Sequence, residues 1–83
     1  MRVVSAPMIR TLEEMEPGET GSIVWVVGAD GSVRRLLDLG LVPGTPIRFV
    51  RRAPLGCPLE VVVRGTHLSL RRTEARRIHV ESL

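Results

Sequence analysis

The apolar residues of this sequence come in short, branched-aliphatic runs, each closed off within a few positions by glycine, proline or charge. The longest, residues 23–27 (IVWVV), has only five members. Val and Ile suit the pleated, half-buried surface of a strand, while Pro and Gly limit the length of any element they flank. Such a chain must build its core from several short strands. A bilayer-spanning helix would need about 20 consecutive apolar residues. At 83 residues, 43% of them hydrophobic, there is material for one domain with one thin core and little room for a deep substrate cavity. We read residues 1–10 as an N-terminal lead-in and 11–83 as a single domain.

Local signals place the elements. Thr11 with Glu14 three residues on is a capping-box pattern, and Pro17-Gly18 ends that helix within a turn or two. Residues 22–27 (SIVWVV) form the first strand, whose unbroken apolar character predicts cover on both faces. A second short helix follows, with Ser32 as N-cap and Val33, Leu36 and Leu37 as its apolar stripe. Gly40 suits the left-handed residue that closes a helix, with Leu41 making the apolar contact that accompanies it. Val42-Pro43-Gly44-Thr45 has the composition of a type II turn. Alternation then predicts strands over residues 47–52, 59–64 and 67–70, with Val50 out of step, and a last strand over residues 78–80. Thr73 is the expected cap of one helical turn before it. About five strands with tight turns and one or two short helices predict a mainly β domain that curls into a small barrel, which leaves few raw edges.

All twelve basic residues are arginine. The pI of about 11.0 suggests a nucleic-acid binder, yet the formal net charge is only +3. The two agree because Lys and Tyr, which titrate near pH 10, are both absent. Net charge is therefore the better guide to the basicity. Cys57 has no partner for an internal disulfide, and the opening MRVVSAPMIR lacks the apolar stretch of a signal peptide. The chain is read as cytoplasmic, meeting a membrane only through a partner.

The run from Arg35 through Leu36-Leu37-Asp38-Leu39-Gly40-Leu41-Val42 to Pro43-Gly44-Thr45 resembles the signature of the FeoA family, a leucine-rich helix ending in Leu-Gly and leading into Pro-Gly-Thr. Leu12, Pro17-Gly18, Gly21 and Ile23 match upstream. Pro54 to Glu60, Arg64-Gly65, Leu68 to Arg71 and Glu74-Ala75 match downstream. The likeness covers roughly residues 11–81. The resemblance implies an SH3-like barrel with no catalytic reaction, acting as an accessory of ferrous iron transport. It implies as partner the cytoplasmic GTPase domain of a FeoB-like membrane transporter, with the protein at the inner membrane through that partner. A similar domain ends some metal-dependent repressors, so a nucleic-acid-binding or transcription-regulator module is the alternative.

Candidate site residues follow. Arg34 and Arg35, on a short exposed helix, could meet an acidic surface or a nucleotide, since an arginine offered to a GTPase stabilises the transferring phosphate. Pro54, Leu55 and Gly56 form a stiffened loop whose exposed Leu55 would dock at little entropic cost. The competing role for Leu55 is a lid on the barrel. Cys57, His67 and His79 are the weak candidates for binding a transition metal such as ferrous iron; none belongs to a C-x-x-C or H-x-x-x-H clip, and no metal site is assigned. Catalysis lacks a G-x-S-x-G or a Gly-Lys phosphate loop. Two aromatics, Trp25 and Phe49, are too few for a peptide groove or a base-stacking platform. Self-association is left open.

Overall fold

A computed structural model describes residues 9–28 and 31–82, the side chain of Ser32 excepted. Six strands make one antiparallel sheet: β1 (Ile9–Thr11), β2 (Thr20–Val26), β3 (Pro46–Arg52), β4 (Leu59–Val63), β5 (Thr66–Leu70) and β6 (Ile78–Ser82). Their order across the sheet is β1-β6-β2-β3-β4-β5. A 3-10 turn (Leu12–Glu14) follows β1, α1 (Gly31–Asp38) joins β2 to β3, and α2 (Arg72–Ala75) joins β5 to β6.

The turns follow the residues that define them. Leu41 donates its N–H to the Leu36 carbonyl at 3.1 Å and Gly40 to that of Leu37 at 3.0 Å, with Gly40 at φ +95°. This Schellman closure brings Leu41 and Leu36, both fully buried, onto the core. Thr45 N–H meets the Val42 carbonyl at 3.1 Å, closing the expected type II turn. Glu14 accepts from the Thr11 N–H at 2.8 Å and from its hydroxyl at 3.1 Å, so the capping box forms, on a 3-10 turn. These bonds, the backbone one foremost, hold the Glu14 carboxyl below the usual carboxylate range.

Ile23, Ile47, Phe49, Val61 and Val80 fill the interior of the curled sheet. Two bulges bend it, between Ile23 and Trp25 on β2 and between Phe49 and Arg51 on β3. The second explains Val50: the extra residue shifts the alternation by one. The first corrects the expectation that β2 is covered on both faces. Beyond the bulge Trp25 turns outward, and both Trp25 and Val27 are 44% exposed.

Two further expectations are revised. β1 takes Ile9 and Arg10 from the stretch read as lead-in, pairing Ile9 with Glu81 and Thr11 with His79 across the length of the chain. Residues 1–8 lie outside the described residues. The cap of α2 is Arg71, whose N–H donates to the Glu74 carboxylate at 2.9 Å, and Thr73 sits exposed inside the turn.

Candidate functional site

Successive residues on a helix point about 100° apart, so Arg34 and Arg35 face different directions. Arg35 turns to α2, and its Nη1 is ion-paired with Oε2 of Glu74. Glu74 is 8% exposed, and its other carboxylate oxygen accepts the Arg71 N–H. Arg35 is thereby the counter-ion of a buried carboxylate, joining α1 to α2. Arg34 is exposed and makes no ion pair among the described residues.

The loop of residues 53–58 is held from α2 as well. It closes on itself through Gly56 N–H to the Ala53 carbonyl at 2.7 Å and Ala53 N–H to the Pro58 carbonyl at 3.1 Å. Arg72 N–H donates to Cys57 Sγ at 3.4 Å. The Arg72 guanidinium lies over Gly56, where Nη2 would stand 2.7 Å from any Cβ, and Gly56 has φ +87°. That left-handed backbone favours glycine, whereas the arginine tip could shift to admit a Cβ. Leu55 is left at the tip, 90% exposed. It covers nothing, which removes the lid reading. The loop and Arg35 thus both contact α2, through Arg72 and Glu74 respectively.

A second arginine cluster locks the 3-10 turn against this end. Arg76 Nε stands 2.8 Å and Arg72 Nε 3.8 Å from Oε2 of Glu13. Arg52 Nη2 donates to the carbonyls of Glu13 at 2.7 Å and Met15 at 2.9 Å while its guanidinium lies 4.9 Å over the Phe49 ring. Arg10 Nη2 meets Glu19 at 3.0 Å, and that bond lowers the Glu19 carboxyl from its usual value.

The weak metal candidates are not brought together. Cys57 lies just beyond the open end of the β4–β5 hairpin, and His67 is next to its turn. His79 is on β6, with three strands of the sheet between it and β5. It stacks on Trp25 with ring centroids 5.2 Å apart, and its Nδ1 is buried with no partner among the described residues. Among the described residues no three His, Cys, Asp or Glu side chains converge as a metal site would require. Cys57, His67 and His79 therefore do not form one ligand set. Nor do the aromatics form a groove, since Phe49 is wholly buried and Trp25 is occupied by His79. Among the described residues no helix is long and apolar enough to cross a membrane.

What sequence reasoning missed is the role of α2. Its organising residue, Glu74, is preceded three positions earlier by Arg71 rather than by Ser, Thr, Asp or Asn, so the usual N-cap signal is absent. The Arg71-x-x-Glu74 spacing was the trace available.

Residues 10–82 match the family model described as the FeoA domain. The chain is 37% identical over 70 residues, 84% of its length, to a Fe(2+) transport protein A/Fe(2+) transporter FeoB fusion protein of Porphyromonas gingivalis, and spans 8% of that protein. Its fold matches the FeoA protein of Chlorobium tepidum with a TM-score of 0.83 and 40% identity, covering 89% of this chain and 70% of that one. It matches Stenotrophomonas maltophilia FeoA complexed with zinc, described as a prokaryotic SH3 domain protein, with a TM-score of 0.75 and 36% identity over 86% and 88% of the two chains. With its six-stranded antiparallel sheet, its two short helices and the Leu-Gly to Pro-Gly-Thr closure in place, the chain belongs to the FeoA family and has that family's SH3-like fold.

Proposed function

We propose that this domain is a non-enzymatic accessory of ferrous iron transport that docks on the cytoplasmic GTPase region of a FeoB-like transporter and regulates or assembles it. The observation that carries this reading is the Porphyromonas gingivalis relative, in which a Fe(2+) transport protein A and a Fe(2+) transporter FeoB are one fused protein. Covalent fusion raises the effective concentration of two modules that act together. Iron is the cargo in this reading, and the chain's own residues serve contact. The domain would lie at the cytoplasmic side of the inner membrane, held there by its partner.

The surface around α2 supports such contact. Leu55 offers a stiffly held apolar anchor, and Arg34 offers an exposed cation that is in no ion pair among the described residues. Arg35 serves this surface by position, since its charge is spent on Glu74. An arginine acting on the partner's nucleotide would therefore be Arg34. The nucleic-acid alternative is less well supported: five arginines are already in ion pairs, and no aromatic platform is present among the described residues.

The test is binding of the purified protein to the GTPase region of the same organism's FeoB-like transporter, with and without guanine nucleotide and ferrous ion. Saturable binding that Leu55→Asp weakens is the expected result. Absence of binding in every condition would sink the reading. Unchanged nucleotide turnover with Arg34→Ala would remove the arginine-donor role while leaving docking intact.

A further inference from the structure

The β4–β5 hairpin turns on two residues, Arg64 and Gly65, at φ +52° and +78°, closed by the Val63–Thr66 pair. In a two-residue hairpin the closing pair exchanges both backbone hydrogen bonds, and pairing alternates from there. Thr66, Leu68 and Leu70 therefore spend their N–H and C=O groups on β4. His67 and Ser69 turn theirs to the open edge of the sheet, where β5 is the terminal strand. Among the described residues, residues 66–70 make no backbone hydrogen bond outside the β4 ladder.

Native sheets protect such edges with charge, proline, bulges or very short strands. The other edge follows that rule: β1 has three residues and carries Arg10. β5 does not. Its five residues, THLSL, contain no charge, no proline and no bulge, and His67 and Ser69 are exposed. The strand is about 17 Å long and offers four outward backbone groups in a fixed register.

Charge says what would pair there. Arg64 at one end of β5 and Arg71 at the other are exposed, and neither is in an ion pair among the described residues. The hairpin's one carboxylate, Glu60, is neutralised by Arg51 at 3.3 Å. A second copy of this chain is a poor occupant. The symmetric β5–β5 register that engages all four outward groups pairs His67 with Ser69 and sets Arg71 of each copy against the turn that carries the other's Arg64. Like charges so placed oppose association.

We infer that β5 is a strand-addition site for an extended segment of a partner protein flanked by acidic residues. Backbone bonds to His67 and Ser69 supply the register, and Arg64 and Arg71 select the acidic ends. The site adjoins the Leu55 loop, because Leu59, the residue after that loop's cis Pro58, pairs with Leu70 at the end of β5. This deepens the partner-binding reading above, and rests on it for the partner's identity.

The probe is a synthetic peptide of alternating Thr and Val flanked by Asp, followed by backbone amide shifts and hydrogen exchange of the intact protein. The expected result is slowed exchange at His67 and Ser69. Binding should weaken by about tenfold with Ser69→Pro, which removes an outward N–H and is tolerated at an edge. If that variant fails to fold, a peptide N-methylated at alternate residues tests the same bonds on the wild-type protein. No peptide binding, equal binding of a Lys-flanked peptide, protection elsewhere, or binding unaffected by Ser69→Pro and N-methylation would each overturn the inference. So would concentration-dependent protection of His67 and Ser69 without peptide, which would assign the edge to a second copy. Binding of the transporter's GTPase region to wild type and Ser69→Pro separates the two readings. Equal binding to both defeats strand addition and keeps the partner, whereas peptide binding without any transporter binding does the reverse.

Discussion

The arginines at the α2 end and those on the β4–β5 hairpin are the same residue put to opposite uses. Around α2, Arg35, Arg52, Arg72 and Arg76 are each matched to a carboxylate or to main-chain carbonyls, drawn from elements far apart in the chain. There the guanidinium acts as a cross-brace, and its planar fork suits bonds in more than one direction. Arg64, in the turn of the hairpin, and Arg71, just past its last strand where α2 is capped, are exposed and in no ion pair among the described residues, at the two ends of an edge with two outward-facing residues. The first region spends its charge on internal contacts, whereas the second leaves its charge to solvent and, in the proposal above, to a partner.

The contrast can be broken experimentally. The largest effect is expected at Glu74→Ala, which strips the α2 cap and leaves Arg35 without its counter-ion. A loss of about 2 kcal/mol, or roughly 10 °C in Tm, should appear in thermal unfolding. Arg52→Met comes next: it keeps an apolar side chain of similar reach but loses two carbonyl contacts and the guanidinium over Phe49, for about 1 kcal/mol or somewhat more in denaturant titration. A Tm as resistant to either change as to a surface mutation would erase the cross-brace role.

Leu55→Asp and Arg64→Ala should move stability by less than about 0.5 kcal/mol, as surface changes usually do. Their effect belongs in partner binding, read by calorimetric titration against the transporter's GTPase region. A large drop in Tm with either would mean the exposed surface is structural after all.

The smallest effect is in pH. Glu14 and Glu19 are held below the usual carboxylate value by Thr11 and Arg10 respectively. Groups lowered in the folded state add stability that is fully present above the unfolded carboxylate pKa and is lost as pH falls through the lowered one. Glu14 is exposed and Glu19 only half-buried, so the acid limb should be shallow. Tm followed from neutral pH to about pH 3 should fall less steeply in Glu19→Gln than in wild type.

The sequence by itself determined the parts held by bonds between near neighbours. The Gly40–Leu41 closure, the Pro43-Gly44 turn, the Thr11–Glu14 box and the alternation of Leu59, Val61 and Val63 each rest on contacts a few residues apart, and side-chain type decides them. The family likeness is carried by the same punctuation. The tertiary structure alone decided what depends on distant pairing. Nothing near Arg35 in sequence distinguishes it from Arg34; Glu74, 39 residues away, does. β1 is a strand because β6 is there to pair with it, and the outward turn of Trp25 follows from a bulge against that same strand. Cys57, His67 and His79 could be nominated as ligands from their chemistry, but only the sheet order could show that they stay apart. Local hydrogen bonds leave a signature in adjacent residues, whereas an ion pair or a free edge depends on which strand becomes the neighbour.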